Sequence, residues 1–283
     1  MKFKFLFRQE LFEIKSLINK MKTAISQLNI KRGKPWHNLD LIQGAAEKAS
    51  TQNADLLCLP EMVTTGFDWK RNRELLAESD RHHKEVSRIA RTHEIAICGS
   101  FLECASSGMP CNTLIYFDHT GEMLAKYRKV HLFTLFHEDQ HVEPGQEVVV
   151  RDIRHGKAGF AVCYDLRFPE LFRKNTQLGA QIQILPAAFP HPRLEHWRTL
   201  VRARAIENQC FFIAVNQSGM EHHDSGVGAA HYFGHSMVVD PWGEILLELG
   251  EDEDLQIVDI DLSQVEQIRA KMTVLKDRRP ELY

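Results

Sequence analysis

The chain has 283 residues, 43% of them hydrophobic and 26% charged, an ordinary globular composition with ample material for a core. Its 35 Lys and Arg against 38 Asp and Glu leave a formal charge of −3, so there is no electrostatic reason to expect nucleic acid or an acidic membrane as a partner. No apolar run approaches the roughly 20 residues that span a bilayer, which excludes a membrane protein.

In chain order, Met1-Lys-Phe-Lys-Phe-Leu-Phe superficially suggests a signal peptide, but Arg8, Glu10, Glu13 and Lys15 interrupt any apolar stretch and no small-residue cleavage site follows. The expected location is therefore cytoplasmic. Met21 opens Met-Lys-Thr-Ala-Ile-Ser-Gln-Leu, a natural first strand, so residues 1–20 are expected to be an appended helix or a misassigned start. Residues 21–283 carry no linker, repeat or shift in composition, and a single domain is expected there. Six cysteines (58, 98, 104, 111, 163 and 210) without a Cys-x-x-Cys pattern suit a reducing compartment, most of them as buried small hydrophobes.

From Asn38, the positions Leu39, Ile42, Ala45, Ala46 and Ala49 recur at helical spacing, and Asp55-Leu-Leu-Cys-Leu59 reads as a buried strand stopped by Pro60. A second unit places Val86, Ile89 and Ala90 on a helix, with Ile95–Cys98 as its strand. Two antiparallel hairpins are expected next, one pairing Asn112–Phe117 with Met123–Tyr127, the other pairing Val148–Ile153 with Gly159–Cys163. A third helix starts after Pro192 with Leu194, Trp197, Val201 and Ala205 on one face, followed by a strand over Cys210–Val215. Ser236–Val239 and Glu244–Leu249 flank a turn, and Ser263 with Glu266 reads as a capping box opening a last helix. Helix–strand units alternating with hairpins predict an α/β fold of mixed sheets covered by helices.

Three short stretches put an unusual polar residue at the C-terminal end of an apolar strand, where open α/β sheets place their sites. They are Leu-Cys-Leu-Pro-Glu61, Tyr-Arg-Lys129-Val-His-Leu-Phe and Phe-Ala-Val-Cys163-Tyr-Asp-Leu-Arg-Phe-Pro-Glu. Singly, Cys163 reads as a core thiol, Glu61 as a cap and Lys129 as a surface charge. Jointly, a nucleophile, a carboxylate base and a cation form a complete acyl-transfer set.

These stretches, with Arg204-Ala-Ile-Glu-Asn-Gln and Gly234-His-Ser-Met-Val-Val-Asp-Pro-Trp-Gly-Glu, resemble the nitrilase superfamily of carbon–nitrogen hydrolases from about Met21 to Asp261. The pattern is most similar to the ω-amidase branch. Nitrile-hydrolysing members typically carry Cys-Trp-Glu, whereas Cys163-Tyr164-Asp165 resembles the amidases. The resemblance implies a four-layer α-β-β-α sandwich, a Glu61-Lys129-Cys163 triad, homodimers, and hydrolysis of the terminal amide of 2-oxoglutaramate or 2-oxosuccinamate. It also places a supporting carboxylate at Glu138, with Glu143 as the competing candidate.

In the chemistry that follows, Glu61 takes the thiol proton, Cys163 attacks the amide carbon, and Lys129 with the backbone N–H of Tyr164 stabilises the oxyanion. No cofactor or metal enters. A carboxylate-bearing substrate needs a cationic grip, for which Arg167 and Arg198 are the candidates, while Phe133, Phe189 and Trp197 are candidate pocket walls. The pair His137 and His141 and the run His222-His223-Asp224 have ligand-like types, but their polar flanks read as solvated loops. The rival functions are N-carbamoyl or deaminated-glutathione hydrolysis, a non-catalytic scaffold, and an acyltransferase, a branch that generally carries membrane segments.

Overall fold

The structure is a computed structural model that describes residues 20–223 and 228–282. The proposed extension lies outside the described residues except for Lys20, which begins the first strand. Two six-stranded sheets form the frame. In the first, β1 (Lys20–Gln27), β2 (Leu56–Cys58) and β3 (Ala96–Cys104) run parallel, flanked by antiparallel β4 (Pro110–Phe117) and β5 (Met123–Arg128). Parallel neighbours need crossovers, supplied here by α1 (Pro35–Thr51) and by α2 (Trp69–Leu75) with α3 (Ser79–Thr92).

The second sheet repeats the plan. Its β7 (Gly156–Phe160), β8 (Ile182–Ala187) and β9 (Phe211–Asn216) are parallel, joined through α4 (Pro169–Gln177) and α5 (Leu194–Asn208). Antiparallel β6 (Val150–Ile153) closes one side. The separate hairpin of β10 (Ser218–His223) and β11 (Gly228–Phe233) interrupts the order before β12 (Met237–Val239) and β13 (Ile245–Glu248) close the other side. The chain then returns to the first sheet, where β14 (Asp254–Asp261) pairs with β1, and ends in α6 (Ser263–Lys271).

Strand alternation explains the four layers. In β3 and β4, Ala96, Cys98, Leu114 and Tyr116 join the core shared with Phe160, Ile182, Ile184 and Ile213 of the second sheet. Their neighbours Ile97, Ile115 and Phe117 point the other way, onto Leu39, Ile42, Val86 and Ile89 of α1 and α3. Trp197, Val201 and Ala205 of α5 cover the outer face of the second sheet. Each fully buried large side chain contributes about 1.5–3 kcal/mol, so the sheet-to-sheet core fixes where strand ends from both sheets meet.

The structure departs from the sequence reading at four places. The unit of α4 and β8 was not anticipated, because Gln183 and Pro186 interrupt the apolar run of β8; Gln183 is nonetheless buried, accepting from Asn175 Nδ2 at 2.9 Å. The hairpin β10–β11 places His222 and His223, expected in a solvated loop, in a strand instead, while Asp224 is outside the described residues. The strand expected over 159–163 ends at Phe160, and Cys163 opens a 3-10 turn, Cys163–Arg167. Ser263 is no capping residue, since the Asp261 carboxylate accepts from its N–H at 3.0 Å. Of the six cysteines, Cys104 is exposed and the other five are buried, all as free thiols. No described helix is long and apolar enough to cross a membrane.

Candidate active site

Three chain segments leave the sheets toward one point. Beyond β2, Glu61 donates its N–H to the Ala187 carbonyl at the end of β8 (3.3 Å), which ties the two sheets together beside the carboxylate. Lys129 follows β5 directly. Its N–H donates to the Asn112 carbonyl and its carbonyl accepts from Gly145 N–H, at 2.9 and 2.8 Å. Gly145 is required there, because a Cβ would sit 2.1 Å from the Arg128 carbonyl oxygen.

Cys163 has φ +48°, a left-handed conformation that costs a non-glycine residue on the order of 1–3 kcal/mol. Asp165 holds the turn. Its buried carboxylate accepts from Val162 N–H (2.8 Å), Tyr127 Oη (2.8 Å), and the N–H and Nδ1 of His131 (3.0 and 2.7 Å). His131 is in turn stacked on Phe168, with ring centroids 3.7 Å apart. These contacts present the thiol at the bottom of a cavity of about 250 Å³.

In that cavity the Lys129 ammonium lies between two carboxylates, 2.9 Å from Glu61 Oε1 and 2.8 Å from Glu138 Oε2, all three groups being buried. Asn112 Nδ2 donates to both acids, at 2.7 and 3.1 Å, and its own oxygen accepts from Ser100 Oγ at 2.8 Å. Phe133 N–H donates to Glu138 at 2.7 Å. Burial opposes charge on Lys129, but Glu138 and Glu61 more than offset it and hold the ammonium well above its usual range. Burial, with help from Glu138, raises Glu61, while Lys129 opposes that shift. The Cys163 thiol is pushed well above its ordinary value by burial and by Glu61, its hydrogen-bond partner, against Lys129 and the Ala188 N–H that donates to Sγ. Burial and Glu61 thus favour the protonated thiol, beside a carboxyl group whose affinity for a proton is itself raised.

The structure therefore brings together Glu61, Lys129, Cys163 and Glu138, with Phe133 on the wall. Glu143 sits apart, accepting from Ser107 Oγ, near Lys126 and Arg128. Tyr164 follows the cysteine, its ring against Phe133 at 4.9 Å. The other candidates lie off the cavity. Trp197 is fully buried and donates Nε1–H to the His235 carbonyl at 2.7 Å, and Phe189 packs on it at 5.2 Å between centroids. Arg198 is paired with Glu248 at 2.7 Å, and Arg167 lies over the Phe189 ring at 5.6 Å. Neither arginine lines the cavity. His137 and His141 are not an α-helical pair; they flank a 3-10 turn, and His141 stacks on Trp69 at the cavity wall.

Sequence reasoning missed the remaining lining. Arg32, between β1 and α1, lies 3.5 Å from Asp68 and 3.9 Å from Glu221. Trp69 and Lys70 come from the start of α2, Phe67 from the segment just before its cap, and Tyr232 from β11. Only the carboxylate of Asp68, which caps α2 by accepting from Arg71 N–H at 2.9 Å, marks that region in the sequence.

The sequence model of the carbon-nitrogen hydrolase family matches residues 22–270. A 2-oxoglutaramate amidase from Bacillus subtilis is 36% identical over 266 residues, covering 93% of this chain and 100% of the relative. The omega-amidase of Mus musculus is 32% identical over 274 residues, 92% of this chain and 95% of its own. Among solved structures, a mutant amidase from Nesterenkonia sp. AN1, showing covalent addition of the acetamide moiety of fluoroacetamide at its active site cysteine, superposes with a TM-score of 0.82 at 31% identity, covering 93% of this chain and 95% of that one.

Proposed function

The chain belongs to the carbon–nitrogen hydrolase family as a hydrolytic amidase, and on that premise we propose that it cleaves the terminal amide of a small carboxylate such as 2-oxoglutaramate or 2-oxosuccinamate through a thioester on Cys163. One observation carries this reading: the Lys129 ammonium fixed between Glu61 and Glu138, beside the Cys163 thiol, at the bottom of an aromatic-walled cavity. Glu61 accepts the thiol proton as sulfur bonds to the amide carbon. The oxyanion is met by Lys129 and the Tyr164 N–H, donors worth about 2.7–4 kcal/mol each in comparable sites. Glu61 then returns the proton to nitrogen, the carbon–nitrogen bond breaks, and ammonia leaves a thioester. In the second half Glu61 takes a proton from water, hydroxide adds to the thioester, and the acid departs as the thiol is restored.

Glu61→Gln is expected to slow acylation by about 10²–10⁴-fold, the usual contribution of a positioned base. The wild-type kcat/KM should fall as pH drops through the carboxyl pKa of Glu61, which burial places above the ordinary carboxylate range. Lys129, held above its own range, gives no alkaline limb near neutrality. Pre-steady-state acylation rates across pH check this. A near-normal rate in Glu61→Gln hands the role to Glu138.

The far carboxylate of the substrate would meet Arg32 and Lys70, the cations that line the cavity besides Lys129 among the described residues. Arg32→Ala is expected to raise KM for oxo-acid amides about 10- to 100-fold, equivalent to ~1.5–3 kcal/mol for a charge-assisted hydrogen bond, and to leave a neutral aliphatic amide nearly unchanged. Equal losses on both substrates would reject the grip.

The activity test is ammonia release from 2-oxoglutaramate and 2-oxosuccinamate, set against glutamine, deaminated glutathione, a nitrile and an N-carbamoyl amino acid. Turnover confined to the oxo-acid amides is the expected result. Turnover confined to another of these substrates reassigns the specificity, and silence on all of them rejects it.

A further inference from the structure

Away from the thiol, metal-ligating side chains from three distant segments converge at the surface. His191 comes from the segment after β8, His231 from β11 and Glu251 from the turn between β13 and β14, and their ligand atoms all lie within 4.8 Å of one another. His191 Nε2 is 3.8 Å from Glu251 Oε1, and the two imidazole centroids are 4.9 Å apart.

The backbones beneath are fixed. His191 N–H donates to the His231 carbonyl at 2.9 Å, and Pro190 and Tyr232 form a β-bridge. Gly250, next to Glu251, accepts from Gln27 Nε2 and from His235 N–H, both at 2.9 Å. Metal bonds of about 2.0–2.2 Å put tetrahedral ligand atoms roughly 3.4 Å apart, so closure needs at most about 1.4 Å of movement by exposed side chains. Rotation about their χ angles supplies that without disturbing the strands.

Two imidazoles and one carboxylate are a borderline donor set, suited to Zn²⁺ and its late first-row neighbours, whereas Ca²⁺ and Mg²⁺ require mostly oxygen ligands. We propose that His191, His231 and Glu251 bind one Zn²⁺ per chain, with the fourth position open to water. The ion would brace the rim of the substrate cavity. It ties the segment carrying Ala188, whose N–H donates to Cys163 Sγ, to the strand carrying Tyr232 of the cavity wall. This inference stands independently of the amide substrate.

The test is zinc titration of the full chain against a chromophoric chelator, in a Cys163→Ala background so that the buried thiol does not contribute. One ion per chain is expected, with affinity falling at least tenfold in both His231→Ala and Glu251→Ala. A His222→Ala/His223→Ala variant should bind as its parent. Zinc should also raise the melting temperature of the parent and leave that of His231→Ala unmoved, since an ion that binds only the folded chain stabilises it. Undiminished binding by His231→Ala, or loss of the ion in the His222/His223 variant instead, overturns the assignment.

Discussion

Cys163→Ala is expected to abolish amide turnover, by about a millionfold if the thiol behaves as other hydrolase nucleophiles do, while leaving the melting temperature within a few degrees of wild type. The two halves of that expectation have separate causes. Chemistry fails because a thioester needs sulfur, and neither Glu61 nor Glu138 is placed as a replacement nucleophile while both are held on Lys129. The fold survives because the unusual backbone at Cys163 is held by Asp165, through Val162, Tyr127 and His131, and not by the thiol. Ammonia release and thermal unfolding on one preparation check both. Retained activity would remove Cys163 from the nucleophile role, whereas a collapse of the fold would mean that the packing of the buried thiol, and not Asp165, holds the turn.

The residues that ended apolar runs were the ones the sequence made visible. Glu61 and Cys163 each follow a buried strand or its extension, so a polar residue there stood out against its neighbours, whereas Lys129 follows the half-exposed β5 and was legible only together with the other two. Arg32 had no such contrast: it sits among Lys31, Gly33 and Lys34 in a connecting segment, and only the fold carries it to the cavity. Asn112 was readable as part of a strand, but not as the donor shared by Glu61 and Glu138, because that depends on which face of β4 meets the second sheet.

The misplaced aromatic is instructive in the other direction. Trp197 shares a helix face with Val201 and Ala205, and that periodicity alone made it a core residue before any pocket was considered. Arg198, one residue further along α5, leaves that face and finds Glu248 of β13. The hairpin β10–β11 stayed hidden because Ser-Gly-Met-Glu-His-His and Gly-Ala-Ala-His-Tyr-Phe contain no β-branched residue, and only Tyr232 and Phe233 at the end of β11 favour a strand.

Lys129→Met carries the second large effect, and it couples stability to activity. The substitution keeps roughly the length of the side chain and deletes the one cation that Glu61 and Glu138 share, leaving two buried carboxylates bridged only by Asn112 Nδ2. Breaking a buried ion pair from one side costs about 3–5 kcal/mol when the remaining charge stays unpaired. One acid relieves that cost by taking up a proton. Glu61, already raised by burial and by Glu138, is the group from which Lys129 withdraws its opposing influence, so its pKa rises further. A protonated Glu61 cannot accept the thiol proton. The variant therefore loses an oxyanion donor, about 10²–10³-fold, together with the base at neutral pH. Because the base is regained as pH rises through the new Glu61 pKa, the residual kcat/KM should climb with pH over a range where the wild-type profile is already flat. The oxyanion share of the loss should persist on that plateau. Urea unfolding and kcat/KM profiles of the two proteins measure both effects, and a Lys129→Met enzyme of wild-type stability, within tenfold of wild-type rate and with an unshifted acid limb, would show that Lys129 is neither the partner of these carboxylates nor a donor to the oxyanion.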